Sequence, residues 1–237
     1  METLAGPCSW ESKEQVEKTV KFLVKDCGIK YLRGGLKKYR SDPDAFQGVG
    51  LFDGMEYLQD LKKEYGFKLI VEVFNADDLD CLKNFADVFQ IGSRNAYNTD
   101  LLRETNLFDK PILYKRHYSM GLNEFVMHSN YMTNNVIMCL RGDLSIHLQE
   151  QRFRSDMADI QRLKELTENK ICYDVSHSSC EAKYVEKNTL AAMIYEPDML
   201  MIEVHPEPKK ALSDPNQQLD FKEFSVLLGK IKEGVKV

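Results

Sequence analysis

The sequence lacks the features that accompany export and membrane insertion. Its first residues, Met1-Glu-Thr-Leu-Ala-Gly-Pro7, contain no basic segment followed by an apolar run, and no later stretch resembles a membrane span. The six cysteines include no CxxC pair and are too sparse for a disulfide scaffold. Without an export signal, reduced thiols are the simpler expectation. We therefore expect a cytoplasmic protein that does not associate with membranes.

Excess positive charge and glycine-rich phosphate loops are also missing. The formal net charge is −5 at pH 7, which gives no reason to expect a general affinity for nucleic acid. No strand-like run is followed by the glycine fingerprint of a dinucleotide-binding fold. What remains is a chain of 237 residues, 43% hydrophobic and 29% charged, a composition typical of a soluble globular protein.

Short apolar runs alternate with longer segments of helical periodicity along the whole chain. The predicted strands are Thr3–Pro7, Ile29–Arg33, Lys68–Val73, Val88–Ile91, Pro111–Lys115, Val136–Leu140, Ile171–Asp174 and Met199–Val204. The predicted helices are Ser12–Asp26, Leu51–Glu64, Asp77–Phe85, Thr99–Asn106, Leu122–Met132, Asp156–Thr167, Glu181–Ile194 and Asp220–Lys232. Strict alternation predicts an α/β fold with a parallel sheet, and eight such units are typical of a (β/α)8 TIM barrel. We expect residues 1–237 to form this single catalytic domain without a regulatory extension; a doubly wound open sheet is the alternative.

The last predicted strand ends in an acidic residue. Met199–Val204 is apolar until Glu203, and the loop that starts at Pro206 carries Asp214. A carboxylate at the end of a buried strand is costly unless it is paired or binds a metal. In a barrel of this kind, the chemistry is located where the strands end and the following loops begin. We therefore expect the partners of Glu203 and Asp214 at the other strand ends.

Two chemically distinct sets of side chains lie at these predicted strand ends. One set offers a thiol, an imidazole and two carboxylates: Cys8, His177, Glu203 and Asp214. Together they are credible ligands for a divalent metal such as manganese, iron, cobalt or zinc. The other set is cationic: Arg33, Lys38, Arg40, Arg94, Lys115 and Arg141. A ring of cations in an acidic protein predicts anionic, phosphorylated substrates.

Each of these residues also has an ordinary structural interpretation. Cys8 alone could be a small buried hydrophobe, which is the more common fate of a free cysteine. His177 lies in an Asp/Ser/His cluster that could simply cap the next helix. Lys115 and Arg116 alternate faces, so one of them at most is expected to point inward. Lys115 shares a face with Leu113, and we predict that it is the inward one.

Taken in order, the strand ends resemble those of one enzyme family, the short, microbial, type I-beta-like 3-deoxy-D-arabino-heptulosonate 7-phosphate (DAHP) synthases. The similar segments are Ala5-Gly-Pro-Cys-Ser9, Leu32-Arg-Gly-Gly35, Phe46-Gln-Gly48, Gln90-Ile-Gly92 with Arg94-Asn95, Lys110-Pro-Ile-Leu-Tyr-Lys-Arg116, Cys139 with Arg141-Gly142, Ser176-His177, Ile202-Glu-Val-His-Pro206, and Ala211-Leu-Ser-Asp214 with Gln217-Gln-Leu219. The resemblance covers almost the whole chain. It implies a (β/α)8 barrel transferase that condenses phosphoenolpyruvate with erythrose 4-phosphate and releases phosphate, the first step of the shikimate pathway to aromatic amino acids.

The resemblance also implies a role for each matching residue. Cys8, His177, Glu203 and Asp214 would be the metal ligands, with Mn²⁺ as the first choice and Fe²⁺, Co²⁺ or Zn²⁺ as others. Arg94, Lys115 and Arg141 would hold phosphoenolpyruvate with Arg33 and Lys38 beside it, and Arg40 and Ser41 would bind the phosphate of the sugar. Lys115, Cys8 and His177 would be the catalytic residues, with Lys115 a candidate proton donor. The implied partners are the two small-molecule substrates and further copies of the chain, in a homodimer or homotetramer.

The sequence departs from the family pattern at several positions. Tyr39 and Val175 stand where proline is usual, and His117 stands where glycine is usual. Leu140 stands where a glutamate usually precedes the arginine that follows the sixth strand. Because Leu140 precedes Arg141, we expect this change to remove a carboxylate close to a phosphate-binding residue.

Two alternative functions stay open. One is 3-deoxy-D-manno-octulosonate 8-phosphate synthase, a related barrel that uses arabinose 5-phosphate and whose second-strand loop typically reads Asn-Arg-Ser-Ser. Lys38 and the segment Gln217-Gln-Leu219 favour the four-carbon aldehyde instead. The other alternative is a non-catalytic barrel homologue that has a binding or regulatory role.

Overall fold

Eight parallel strands close into a barrel in which each strand pairs with its neighbour in sequence and the last pairs with the first. The computed structural model describes residues 1–40, 42–145 and 152–235. The barrel strands are β1 (Glu2–Gly6), β2 (Tyr31–Arg33), β3 (Lys68–Val73), β4 (Val88–Ile91), β5 (Ile112–Lys115), β6 (Val136–Leu140), β7 (Lys170–Asp174) and β8 (Met199–Glu203). The predicted (β/α)8 barrel is confirmed, and the open-sheet alternative is wrong.

Helices surround the barrel and follow the strands in turn. They are α1 (Lys13–Val20), α2 (Leu51–Tyr65), α3 (Ala76–Leu82), α4 (Thr99–Glu104), α5 (Leu122–Ser129), α6 (Asp159–Leu166), α7 (Val175–Ser179), α8 (Ala182–Ile194) and α9 (Phe221–Glu233). A π-helical segment, Lys21–Asp26, continues α1, and a two-stranded ribbon of Asp143–Leu144 and Phe153–Arg154 precedes α6. Among the described residues, none of these helices combines the length and the apolar character needed to cross a bilayer.

The predicted sixth helix begins three residues too early. Its first predicted residue, Asp156, lies outside α6 because its carboxylate is used elsewhere. One oxygen accepts a hydrogen bond from the backbone of Gly142 at 2.9 Å, and the other accepts one from Arg116 at 2.8 Å. Contacts with residues this far away in the chain do not affect the local pattern of apolar residues, so the pattern did not predict where the helix begins.

Side chains of alternating strand positions form two apolar layers. The interior of the barrel is filled by Leu4, Ile70, Val88, Leu113, Ile137, Cys139, Cys172, Met199 and Met201. The other strand faces pack against the helices. Leu140 belongs to this outer layer, whereas its neighbour Cys139 points inward. A carboxylate at position 140 would therefore face the helices and not the barrel interior, which contradicts the expected loss of a charge beside Arg141.

A close approach of two backbones shapes the carboxyl end of the barrel. Gly6, the last residue of β1, has φ of +151°, and a Cβ atom there would lie 1.9 Å from the carbonyl oxygen of Arg33 at the end of β2. Only glycine tolerates both the conformation and the contact. The approach lets Arg33 donate a hydrogen bond from Nη1 to the Pro7 carbonyl at 2.7 Å. The loop that carries Cys8 is thereby held against the second strand.

Candidate active site

A cavity of about 540 Å³ opens at the carboxyl ends of the strands. All six of the predicted cations line it: Arg33, Lys38, Arg40, Arg94, Lys115 and Arg141. His177 and Asp214 line it as well. Ser41 lies outside the described residues. A strongly cationic cavity in a protein of net negative charge would concentrate anionic ligands.

Three of the four predicted metal ligands meet at one side of this cavity. One ligand atom each from Cys8, Glu203 and Asp214 lies within 4.8 Å of the others. This happens because β1 and β8 are paired, with Gly6 opposite Glu203. The Sγ atom of Cys8 donates a hydrogen bond to Oδ2 of Asp214 at 3.0 Å. The fourth predicted ligand, His177, approaches the group with Nε2 3.9 Å from the same Asp214 oxygen.

Positive charge surrounds this cluster. Lys38 places Nζ 3.0 Å from the Cys8 sulfur, and Arg33 places Nη1 2.9 Å from Oε1 of Glu203. Burial, and next the nearby Glu203 carboxylate, raise the pKa of the Cys8 thiol to about 12. Burial alone would also raise the pKa of Asp214, but His177 and Lys38 outweigh it and hold that pKa well below the usual range.

The donor atoms of the cluster fit a divalent first-row metal. A sulfur, an imidazole nitrogen and two carboxylates form a mixed set that suits transition metals better than Mg²⁺ or Ca²⁺, which prefer oxygen ligands alone. Asp214 adopts a left-handed conformation with φ of 45°, which Asp tolerates better than most residues, and this conformation belongs to the turn that brings its carboxylate to Cys8. The residues present are therefore able to hold a metal.

Hydrogen bonds join the loop after β1 to the loop that carries Asp214. Ser9 and Ser213 share a hydrogen bond of 2.6 Å, and the Leu212 N–H donates to Oε1 of Glu11 at 2.9 Å. The Cys8 N–H donates to the side chain of Gln218 at 2.9 Å. These contacts hold the two loops in register, so Cys8 and Asp214 face each other.

Asp174 is a site residue that sequence reasoning did not select. It is fully buried at the end of β7, and its Oδ2 atom accepts a short hydrogen bond from Lys115 and lies 2.9 Å from Nδ1 of His177. Its other oxygen accepts the backbone N–H of His177 at 3.1 Å and so begins α7. The Asp-x-x-His spacing at a strand end was the signal available in the sequence. Asp174 connects a predicted substrate residue with a predicted metal ligand.

The two adjacent basic residues at the end of β5, Lys115 and Arg116, point to different sides, as predicted. Lys115 is directed into the cavity. Arg116 is buried outside it, among the carboxylates of Asp143, Asp156 and Asp159. The inward orientation of Lys115 is confirmed by this geometry, while its role stays a prediction.

Arg141 is held flat against an aromatic ring. Its guanidinium carbon lies 3.9 Å from the centroid of Phe153, and Arg152 lies 4.7 Å from the same centroid. Arg141 is 6% exposed, yet its Nε and Nη1 atoms have no hydrogen-bond partner among the described residues. Unpaired buried donors are costly, so a cation held this way is ready for an anion from the cavity. Phe153 and Arg152, which also line the cavity, were not predicted.

The chain matches known proteins over nearly its full length. The profile of the "DAHP synthetase I family" matches residues 1–236. A phospho-2-dehydro-3-deoxyheptonate aldolase from Thermotoga maritima is 37% identical, over 99% of this chain and 71% of its own length. The more distant 2-dehydro-3-deoxyphosphooctonate aldolase from Francisella tularensis is 27% identical, over 98% of this chain and 92% of its own length.

Solved structures give the same result. The crystal structure of a phospho-2-dehydro-3-deoxyheptonate aldolase (DAHP synthase) from Thermotoga maritima superimposes with a TM-score of 0.92 at 36% identity, over 98% of this chain and 68% of that one. A truncated form of 3-deoxy-D-arabino-heptulosonate 7-phosphate synthase from the same organism gives 0.87 at 33% identity, over 98% of this chain and 86% of that one.

Proposed function

The chain belongs to the DAHP synthetase I family, and on that premise we propose that it is a 3-deoxy-7-phosphoheptulonate synthase. The reaction would join phosphoenolpyruvate to erythrose 4-phosphate, release phosphate and supply the shikimate pathway. One observation carries the proposal: the cavity that six cations line is also lined by His177 and by Asp214, which belongs to the cluster of Cys8, Glu203 and Asp214. Two polyanionic substrates need such a cavity, because fixed cations offset their mutual repulsion while orienting them.

We assign phosphoenolpyruvate to the side of the cavity formed by Arg94, Lys115 and Arg141. The unpaired donors of Arg141 support this assignment, since a phosphate or carboxylate would satisfy them. Arg33 and Lys38 would lie between this group and the metal ligands. Arg40 would bind the phosphate of the sugar together with Ser41, which lies outside the described residues.

We further propose that Cys8, His177, Glu203 and Asp214 hold a divalent cation, with Mn²⁺ as the first choice. Such a cation, when bound, supplies Lewis-acid polarisation of an aldehyde oxygen. The Lys38 ammonium, 3.0 Å from the Cys8 sulfur, would offset the charge of the thiolate that binds it. Lys115 donates a hydrogen bond to Asp174 and is our candidate for delivering a proton to the reacting substrate.

The relatives named 2-dehydro-3-deoxyphosphooctonate aldolase motivate a second candidate, in which the aldehyde is arabinose 5-phosphate. Their identity to this chain is 27% at best among those compared, against 37% for the heptonate aldolase. We therefore place the four-carbon aldehyde first. An assembly of two or four copies and a cytoplasmic location complete the proposal.

The test is consumption of phosphoenolpyruvate by the purified protein after chelation and after addition of Mn²⁺, with each aldehyde offered separately. Turnover with erythrose 4-phosphate that needs the metal is the expected result. Turnover with arabinose 5-phosphate alone would overturn the substrate assignment but keep the metal assignment. Full activity of a Cys8→Ala variant after chelation would overturn the role of the metal cluster. No turnover with either aldehyde would favour a non-catalytic barrel.

A further inference from the structure

Tyr39 connects two parts of the cavity that belong to different loops. Its neighbours in sequence are on the side of the metal ligands: Lys38 lies against Cys8, and Arg40 lies 3.7 Å from Oδ1 of Asp214. Tyr39 itself contacts the opposite wall. Its carbonyl accepts a hydrogen bond from Nη1 of Arg94 at 3.4 Å, and its ring centroid lies 5.5 Å from the Arg94 guanidinium.

The surroundings of Tyr39 are not those of a core residue. Tyr39 is 52% exposed, and the one aromatic ring it stacks on within the described part of the chain is that of Phe74, with centroids 6.5 Å apart and ring planes at 20°. Burial therefore explains little of its position. Arg94 is also exposed and projects from a short turn, Ser93–Asn95, after β4. The contacts between Tyr39 and Arg94 therefore restrict the positions that each of these exposed residues adopts.

The backbone at position 39 has no covalent restraint of its own. Tyr39 lacks the fixed φ that a proline would supply. The segment is closed by the hydrogen bond from the Lys38 N–H to Gln47 at 2.8 Å and by the Arg40 Nε–Phe46 contact at 3.2 Å. Neither bond determines where Tyr39 points, which leaves its stacking on Phe74 and its two contacts with Arg94 to position it.

We propose that Tyr39 is a positioning residue that couples the binding of the two substrates. The inference rests on the proposed function, in which Arg94 holds phosphoenolpyruvate and Lys38 and Arg40 face the aldehyde. An anion that binds Arg94 restrains its guanidinium further, and the two contacts with Tyr39 extend that restraint to Tyr39 and to the cations on either side of it. The second substrate then binds to a segment that is already restrained. The segment loses less conformational entropy on this second binding step, so the affinity for the second substrate is higher. Thermodynamic linkage requires the reverse effect to be equal.

Binding of an unreactive pair tests this coupling without turnover. The protein is loaded with Mn²⁺ and titrated calorimetrically with erythritol 4-phosphate, which lacks the aldehyde, in the absence and presence of phosphoenolpyruvate. The wild type is expected to bind the analogue more tightly when phosphoenolpyruvate is present, by about fivefold, the lower end of typical coupling between sites. Tyr39→Ala removes the ring contact with Arg94 and keeps the backbone carbonyl, and it is expected to lower this ratio toward one. Tyr39→Phe is expected to retain it, because neither contact uses the hydroxyl.

Tyr184→Ala is the matched control, since Tyr184 is 42% exposed and is not among the residues that line the cavity. It should retain the wild-type ratio. A wild-type ratio in Tyr39→Ala, with both ligands bound, overturns the coupling role and leaves the proposed function intact. A ratio that falls as far in Tyr39→Phe as in Tyr39→Ala would also overturn the coupling role and leave the proposed function intact. Failure of the wild type to bind either ligand overturns the proposed function itself, and thermal melting of each variant separates these outcomes from unfolding.

Discussion

The carboxylate of Asp174 lies 2.9 Å from the Nδ1 atom of His177. The other ring nitrogen, Nε2, lies 3.9 Å from Oδ2 of Asp214, on the side of the ligand cluster. A carboxylate behind a histidine is a common arrangement in metal sites, where it fixes the orientation and tautomer of the ring. Asp174 also accepts a hydrogen bond from Lys115, so one buried charge orients groups with two different proposed roles.

Asp174→Asn should therefore weaken metal binding by about 10- to 100-fold, the range typical of such supporting residues. The amide oxygen can still cap α7, so the fold should persist. Competition with a coloured chelator measures the metal affinity. Asp198→Asn is the control, because Asp198 also accepts a backbone hydrogen bond, from Ile171, but lies at the start of β8, at the opposite end of the barrel. Equal affinities in the two variants would contradict the role of Asp174.

Phe153→Leu should lower the affinity for phosphoenolpyruvate by about 5- to 30-fold, because a desolvated cation–π contact contributes about 1–2 kcal/mol. Leucine fills much of the same space but offers no aromatic face to Arg141. Equilibrium titration of the Mn²⁺-loaded protein measures the effect. Phe85→Leu is the control, since Phe85 lies under Lys62, away from the cavity. Unchanged affinity in the Phe153 variant would show that the ring does not prepare Arg141.

Gly6→Ala should lower the free energy of unfolding by about 3 kcal/mol or more. Alanine would be strained in a backbone conformation that favours glycine, and its Cβ atom would also clash with backbone. The added Cβ would meet the Arg33 carbonyl at 1.9 Å. Gly28→Ala is the matched comparison: its φ is +72°, but nothing lies within 4 Å of the added atom. That variant should lose only about 1 kcal/mol. Urea unfolding compares the two, and similar losses would contradict the argument from close approach.

Asp87→Asn should cost more stability at pH 7 than at pH 3. Burial alone would raise the pKa of Asp87, but Lys62 at 2.7 Å and the Leu69 N–H at 2.8 Å outweigh it and lower the pKa. A lowered carboxyl pKa stabilises the fold above the unfolded-state value of about 4, and this contribution disappears as the pH falls through the folded-state value. The expected loss at pH 7 is about 1 kcal/mol.

Urea unfolding at both pH values measures this difference. Asp80→Asn is the control, because Asp80 pairs with Lys83 while remaining 71% exposed. Its effect should stay within about 0.5 kcal/mol at either pH. A loss for Asp87→Asn that does not change with pH would mean that its charge is not the cause.

The barrel and most of the candidate site could be predicted because both depend on where apolar runs stop. Several strand ends carry a polar residue directly after a buried stretch, as Glu203 does after Met199–Ile202. Residues that act through a distant partner were missed. Asp174 reads as a helix cap in the sequence, and its contact with Lys115 depends on two strands that β6 separates in the barrel.

The direction of a side chain at a strand end was also harder to predict than its presence. Because Leu140 precedes Arg141, we expected it to remove a carboxylate from the site. In the structure, Leu140 packs in the outer apolar layer. Phe153 follows a stretch, residues 146–151, that lies outside the described residues, and nothing in its local pattern indicates a guanidinium above its ring. Such contacts are determined by how loops fold over the barrel, which periodicity does not report.

Cys8 and Asp214 touch at 3.0 Å but are 206 residues apart in the chain. A ribosome therefore releases the thiol with the first strand and its carboxylate partner only after the last. Throughout that interval the nascent chain carries a cysteine that has no cluster to join, and a chain truncated before the eighth strand never completes one. Capture of a metal ion by this group would accordingly require that the chain has been made at least as far as Asp214 and that β1 has paired with β8.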